Sequence, residues 1–205
     1  MSDLKCSWKN NKNVAQKQLK LNLNELSSKD SYPAHWNACL HLIKHFGPKK
    51  ILDLGCGVGT MYRVITEAIP NIDYTGVDFS EESIKLAKET WGHGKFYVKD
   101  VMSLIQSDIS EYDLVFTSAL FDVMPNGDDA LEHILRLQPK SLLISRAKIT
   151  LDKSFYRTYM AYDEIETCEF YHNKDNFLSL CSEYNYEINQ INDNFYLVRV
   201  NDKSV

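Results

Sequence analysis

A glycine-rich turn between an apolar strand and an amphipathic helix is the feature that most constrains this chain. Residues 50–54 read KILDL, which is typical of a buried strand, and Gly55–Gly59 follow directly. Residues 60–68 then place apolar side chains on one helical face. Because a glycine loop leaves bare backbone at a helix N-terminus, a ligand can approach closely there. The sequence therefore predicts an α/β fold with a ligand site after the first strand.

Strands and helices continue to alternate after this unit, and such alternation indicates a parallel sheet. The last third differs, since a helix is followed by two strands joined by a short Asn/Asp turn, typical of an antiparallel hairpin. The predicted strands are 50–54, 73–77, 95–98, 113–117, 141–145, 186–191 and 195–200, and the predicted helices are 37–46, 60–68, 81–91, 128–138 and 175–184.

The length of 205 residues fits one domain. We expect residues 31–205 to form that domain and residues 1–30 to be a partly flexible, solvated N-terminal arm. Residues 147–174 lack a clear period and are rich in Tyr and Phe, so they are expected to form an irregular aromatic lid or insert.

Charge and cysteine content exclude several classes of function. Residues 1–20 carry five lysines and one aspartate, whereas the rest carries 18 basic and 27 acidic side chains. Such an acidic body disfavours nucleic acid as a partner. The five cysteines are odd in number and form no C-x-x-C, which argues against disulfides and a zinc site. His41 and His45 lack the Glu of H-E-x-x-H, so we predict no metal.

No apolar run approaches the roughly 20 residues that a membrane helix needs, and the polar N-terminus has no signal-peptide pattern. We therefore expect a cytoplasmic protein that has no membrane partner.

Three acidic residues at strand ends indicate which ligand the glycine loop would hold. Asp53 lies two residues before Gly55, Asp78 closes the second strand, and Asp100 closes the third. A carboxylate beside the loop repels a pyrophosphate but suits an ammonium group, which favours a nucleoside that carries an amino acid. Thr60 also stands where a dinucleotide fingerprint has its last Gly or Ala, which disfavours an NAD-dependent dehydrogenase.

In four segments the chain resembles the class I S-adenosylmethionine-dependent methyltransferases: ILDLGCGVGT (51–60), YTGVDFS (74–80), Asp100, and YDLVFTSALFDV (112–123). The resemblance covers roughly residues 35–200. It implies a Rossmann-like seven-stranded sheet of order 3-2-1-4-5-7-6 with the last strand antiparallel and helices on both faces. It also implies S-adenosyl-L-methionine as cofactor, with S-adenosyl-L-homocysteine as product.

The same resemblance implies roles for individual positions. Asp53, Gly55, Cys56 and Gly57 would surround the methionine moiety, with the backbone N–H of Cys56 as its useful group. Asp78 would hold the ribose, and Phe79 would flank the adenine ring. Asp100 and Val101 would meet the adenine, with Ser118 also at the cofactor.

The acceptor side is less constrained. The chain lacks both the Pro-Pro-aromatic motif of DNA amino-methyltransferases after strand four and a Pro-Cys nucleophile. A small-molecule acceptor is expected, with O- or N-methylation, and a sugar or another biosynthetic intermediate is one option. Methylation of RNA or protein and a catalytically silent S-adenosylmethionine-binding module are the alternatives. The substrate-binding candidates are Tyr32, Trp36, Phe121, Arg146, Tyr156 and Tyr159, and the general-base candidates are His35, Asp122 and His172.

Overall fold

A computed structural model describes residue 8 and residues 12–27, 32–163, 165–192 and 195–200. The strands are β1 (Lys50–Leu54), β2 (Asp73–Asp78), β3 (Lys95–Val98), β4 (Leu114–Ser118), β5 (Ser141–Ser145), β6 (Ile149–Thr150), β7 (Phe155–Ala161), β8 (Ile165–Asn173), β9 (Tyr186–Asn192) and β10 (Phe195–Val200). The helices are α1 (Lys12–Leu26), α2 (Ala34–Phe46), α3 (Thr60–Ala68), α4 (Glu81–Trp91), α5 (Gln106–Ile109), α6 (Gly127–Arg136) and α7 (Lys174–Glu183).

Seven strands form the central sheet in the order β3-β2-β1-β4-β5-β10-β9. The pairs among β1 to β5 are parallel, whereas β10 runs antiparallel to both β5 and β9. This arrangement confirms the predicted α/β fold. Because all five parallel strands point the same way, the loops after β1, β2, β3 and β4 meet at one edge of the sheet.

Helices cover both faces of the sheet because neighbouring strand residues point to opposite sides. On β1, Ile51 packs with α2, α3 and α4, whereas Leu52 and Leu54 pack with α5, α6 and α7. Gly47 ends α2 in the left-handed conformation, with φ of 66°, as the Gly-Pro pair predicts. Ser80 caps α4 by accepting a hydrogen bond from the Ser83 N–H.

The region after β5 contradicts the prediction of an irregular insert. Its strands form a second sheet in the order β6-β8-β7, in which β7 and β8 are an antiparallel hairpin. Phe155 stacks on Tyr171 across this hairpin, with ring centroids 4.9 Å apart. The aromatic residues of this region are thus cross-strand pairs, which a search for one continuous period overlooks.

The prediction of a frayed N-terminal arm is wrong for residues 12–27, which include the 15-residue helix α1. Val14 and Ala15 are buried, and Val14 packs in a cluster with Ala161 and Ile165 of the hairpin. Lys5 and Lys9 of the arm lie outside the described residues. None of the described helices has the length and apolar character needed to cross a membrane.

Candidate functional site

A cavity of about 380 Å³ opens at the edge of the sheet where the parallel strands end. Its size falls in the usual range for small-molecule sites. We call one side the cavity floor, formed by Gly55, Gly57, Asp78, Asp100 and Ser118, and the other the cavity roof, formed by Val14, Ala15, Gln18, Tyr159 and Tyr162. The floor follows the strand ends of the central sheet, whereas the roof comes from α1 and the end of β7.

The glycine loop is tied to the neighbouring strand through its backbone. The N–H groups of Gly55 and Cys56 both donate to the carbonyl of Val77, at 2.9 and 3.0 Å. Gly59 has φ of 76°, and a Cβ there would lie 2.8 Å from the ring of Phe96. Only glycine meets both conditions without strain, so the local sequence dictates the loop's shape.

Cys56 corrects a sequence expectation. Its N–H bonds to Val77, so this group is not free for a ligand, and its side chain packs in the core beneath the loop. Only Gly55 and Gly57 of this turn line the cavity.

Asp53 also differs from the expectation, because it lies beneath the loop and does not line the cavity. It is 2% exposed and accepts a hydrogen bond from the hydroxyl of Tyr74. Burial raises the pKa of Asp53 to about 7, although the Tyr74 hydrogen bond acts in the opposite direction. Its surroundings are those of a buried structural acid.

Asp78 is held at the cavity floor by the loop that it faces. Its Oδ2 accepts from the Gly57 N–H at 3.0 Å, and its Oδ1 accepts from the Ser80 N–H at 2.9 Å. Burial raises the pKa of Asp78, and these backbone hydrogen bonds partly offset that effect. Phe79 also contributes a backbone hydrogen bond to this carboxylate, so of its roughly four lone-pair sites about one can accept a further hydrogen bond. Phe79 lines the cavity beside it.

Asp100 lies at the end of β3 and caps a single 3-10 turn, Val101–Ser103. Its Oδ1 accepts from the Met102 N–H at 3.0 Å. Both Asp100 and Val101 line the cavity, so the structure brings together the acids after β2 and β3, as the sequence predicts.

The loop after β4 separates residues that the sequence analysis grouped together. Ser118 and Leu120 line the cavity, whereas Phe121 and Asp122 are buried and do not. Burial raises the pKa of Asp122 to about 6, opposed by the charges of Arg146 and Lys148. Phe121 is therefore a core residue, and Asp122 lies behind the cavity wall.

Two long-range hydrogen bonds join the parts of the cavity roof. The Trp8 Nε1–H donates to Thr167 Oγ1 at 2.7 Å, and Lys17 Nζ donates to the carbonyl of Tyr162 at 3.2 Å. Asn22 Nδ2 on α1 donates to Thr60 Oγ1 at 2.7 Å, which ties the roof to the first turn of α3. The roof is thus attached both to the hairpin and to the glycine-loop unit.

Sequence reasoning missed the residues that α1 contributes. The side-chain oxygen of Gln18 lies 3.2 Å from where a Cβ on Gly57 would be, so Gln18 reaches the glycine loop. Val14, Gln18 and Asn22 recur at intervals of four, the one signal in the arm that indicates a packed helical face.

Of the six substrate-binding candidates, Arg146 and Tyr159 line the cavity. Trp36 instead packs in the core, edge-to-face with Tyr32 at a centroid distance of 5.7 Å. Tyr156 lies on β7 and is not part of the cavity wall.

None of the three general-base candidates lines the cavity. His172 is fully buried, and its Nδ1 lies 2.6 Å from Asp128 Oδ1. Burial and the charge of Arg146 lower the pKa of His35 to about 4, so this imidazole is neutral and weakly basic near pH 7. Within the described residues, no group of three or more His, Cys, Asp or Glu side chains is placed to hold a metal ion.

Comparison with known families places residues 52–138 within the model of a methyltransferase domain. A malonyl-[acyl-carrier protein] O-methyltransferase of Neorickettsia risticii is 30% identical over 95 residues, covering 46% of this chain and 37% of that protein. A trans-aconitate 2-methyltransferase of Rhodopseudomonas palustris is 31% identical over 90 residues, covering 44% and 33%. The chain thus spans less than half the length of these relatives.

Solved structures show the same fold at low identity. The sugar N-methyltransferase KedS8 from Streptoalloteichus has a TM-score of 0.61 at 13% identity, over 82% of this chain and 87% of that chain. Streptomyces venezuelae DesVI has a TM-score of 0.60 at 9% identity, over 82% and 91%. The fold therefore extends well beyond the segment that the family model matches.

Proposed function

The chain belongs to the class I S-adenosylmethionine-dependent methyltransferases, and on that premise we propose that it transfers a methyl group to a small-molecule acceptor. The observation that carries this proposal is one cavity with two chemically different sides. Its floor holds a bare glycine loop and two acids, and its roof is largely aromatic and apolar.

The residues of the floor fit the cofactor. Gly55 and Gly57 present backbone without side chains, and Asp78 lines the cavity beside them with room to accept a hydrogen bond from a ribose hydroxyl. Asp100 is placed to accept from the adenine amine, with Val101 against the ring. Gln18 supports the methionine end, since its amide can both donate to a carboxylate and accept from an ammonium group.

The chain's own contribution to methyl transfer is alignment and exclusion of water. When bound, S-adenosylmethionine supplies a methyl group on a sulfonium, which reacts by in-line displacement. The roof covers the cavity with α1 and β7, and Leu120, in the loop after the neighbouring strand β4, packs over Gly55. Holding the two reactants in a reactive orientation lowers the activation free energy of methyl transfer by several kcal/mol.

A small acceptor is favoured by the enclosure of the cavity and by its relatives. The roof lies over the cavity floor and is joined by side-chain hydrogen bonds at Trp8 and Lys17, and the cavity of about 380 Å³ has the size of a small-molecule site. The names of three matched proteins specify acceptors that are small or carry a small reactive group, namely trans-aconitate, malonyl-[acyl-carrier protein] and a sugar, although another relative is named as a ribosomal RNA methyltransferase. Both O- and N-methylation are represented among those names.

Parallel calorimetric titrations with S-adenosylmethionine, S-adenosylhomocysteine and NAD test the proposal, followed by transfer of a labelled methyl group to a pool of small metabolites. We expect binding of the first two ligands, no binding of NAD, and label in the small-molecule fraction. Tight binding of NAD alone would contradict the family's cofactor for this chain. Cofactor binding without any transfer would identify a silent binding module.

A further inference from the structure

Arg146 is the cation on the cavity wall that has no partner among the described residues. It follows β5 and is exposed, and no described residue forms a hydrogen bond or an ion pair with its guanidinium. Lys99, the other cation of the wall, lies 2.5 Å from Asp108 Oδ1 and is therefore paired. Arg146 thus has five donors that remain available to a ligand.

The neighbourhood of Arg146 limits how much negative charge a ligand can carry. Asp122 is buried close enough for the charge of Arg146 to lower its pKa, and the same guanidinium charge acts on Tyr159 and Tyr162. With Asp122 ionised, the guanidinium and this carboxylate together carry no net charge, so a monoanion meets less repulsion from Asp122 than a phosphate dianion would. A carboxylate also fits the planar fork of arginine in a bidentate manner.

The cavity wall also lacks a group suited to remove a proton from the acceptor. Among its described residues, the acids are Asp78 and Asp100, which lie on the floor with backbone hydrogen bonds. Burial raises the pKa of the roof tyrosines Tyr159 and Tyr162, so neither ionises readily near neutral pH. No histidine is present on the described wall. An acceptor that arrives already ionised needs none of these groups.

We propose that the acceptor is a carboxylic acid whose carboxylate binds Arg146 and is converted to its methyl ester. This inference rests on the proposed function and narrows its acceptor class. One carboxylate oxygen forms the new bond to the methyl carbon, the bond from that carbon to the sulfonium sulfur breaks, and its electron pair stays on sulfur. No proton moves, and the opposite charges of the two reactants are neutralised. Arg146 orients the carboxylate through the second oxygen.

Matched acid and amide pairs test this assignment by binding. The protein saturated with S-adenosylhomocysteine is titrated with the monocarboxylates benzoate and hexanoate, and with their amides benzamide and hexanamide. We expect at least one acid to bind and its amide to bind much more weakly. Arg146→Gln should weaken that acid about 10- to 100-fold, the range for a hydrogen bond to a charged group, and Arg146→Lys should fall between. S-adenosylhomocysteine should bind these variants as it binds the wild type.

Arg63→Gln is the matched control, because Arg63 is an exposed arginine paired with Glu67 on α3, outside the cavity wall. It should leave acid binding unchanged. Labelled methyl transfer to the low-molecular-mass fraction of a cell extract gives a second readout, since alkali releases methanol from methyl esters but not from ethers or methylamines. Acids that bind no better than amides, an Arg146→Gln variant that binds them equally well, or alkali-stable product would overturn the proposal. Failure to bind S-adenosylhomocysteine would instead overturn the proposed function itself.

Discussion

The floor and the roof of the cavity are built in different ways. The floor residues follow consecutive parallel strands, so the backbone ladder of the sheet sets their positions. The roof joins segments 145 and 159 residues apart through the Lys17 and Trp8 side-chain hydrogen bonds. Because α1 belongs to no strand ladder, we expect the α1 part of the roof to open at a lower free energy than the floor. The positions of the floor residues thus follow from the sheet itself, whereas the roof depends on contacts between segments that are distant in the chain.

The largest effect is expected beneath the floor, at Asp53. Its pKa is raised from 3.8 to about 7 in the folded protein, so its contribution to stability is complete below about pH 4 and is lost as pH rises through 7. Relative to Asp53→Asn, the wild type should lose stability with rising pH, with a slope approaching about 1.4 kcal/mol per pH unit between roughly pH 4.5 and 6.5. Chemical denaturation at several pH values measures this difference.

Tyr74→Phe provides the cross-check for that slope, because it removes the hydrogen bond that opposes the rise in the pKa of Asp53. The pH at which stability is lost should then move upward. Parallel pH profiles for wild type and Asp53→Asn would contradict the placement of a buried acid with a raised pKa under the loop.

Asp78→Ala should weaken binding of S-adenosylhomocysteine by about 1.5–3 kcal/mol for each hydrogen bond lost to a charged group. Calorimetric titration measures the change, and circular dichroism checks that the variant remains folded. Asp73→Ala, at the other end of β2, removes an exposed ion pair with Lys95 and should leave affinity unchanged. If both variants bind S-adenosylhomocysteine with equal affinity, Asp78 is not part of the cofactor site.

Gly57→Ala and Gly92→Ala compare two glycines that share φ of 54°. Both variants should lose stability, by about 1–2 kcal/mol or more, because an L side chain is strained at positive φ. A Cβ at position 92 meets nothing within 4 Å, whereas one at position 57 meets Gln18 at 3.2 Å. Only Gly57→Ala should also reduce S-adenosylhomocysteine affinity. Calorimetric titration of both variants with S-adenosylhomocysteine separates the effect of backbone strain from that of a side chain at the loop. Similar affinities in the two variants would indicate that the ligand binds away from the glycine loop.

The smallest effect is expected at the roof. Trp8→Phe removes the donor to Thr167, worth about 0.5–1.5 kcal/mol, and should speed hydrogen exchange in α1 while leaving global unfolding nearly unchanged. Trp91→Phe is the floor counterpart, since its Nε1–H donates to the Val58 carbonyl at 2.8 Å. That variant should lower global stability. If Trp8→Phe also lowers global stability, the roof unfolds together with the core, and the proposed difference between roof and floor is wrong.

The sequence predicted the floor well because its signals are local. The strand ends at 54, 78 and 98 lie within a residue of their predicted positions, and the acids at 78 and 100 follow them directly. Asp53 and Cys56 were expected at the ligand through the family resemblance. Their burial depends on Tyr74 and on the packing beneath the loop, which a motif does not encode.

The roof could not be predicted because no local pattern describes it. Residues 12–26 have only two buried side chains and read as a polar, lysine-bearing arm, yet the hairpin gives them a partner. Apolar and polar side chains alternate only imperfectly along residues 155–173. Their strand structure depends on pairing between β7 and β8 rather than on a regular hydrophobic period. His172 was a candidate general base, but its Nδ1 on β8 is hydrogen-bonded to Asp128 on α6.

The layered α/β sheet, the glycine loop and the acids at the sheet edge can be read from the sequence, because strand pattern, turn geometry and helix capping act over a few neighbouring residues. What covers that edge became visible in three dimensions: α1 lies over Gly57, β7 closes the opposite side, and Arg146 remains unpaired among the described residues of the wall. Burial and pairing depend on partners distant in the chain, and a single sequence does not show which partners will meet.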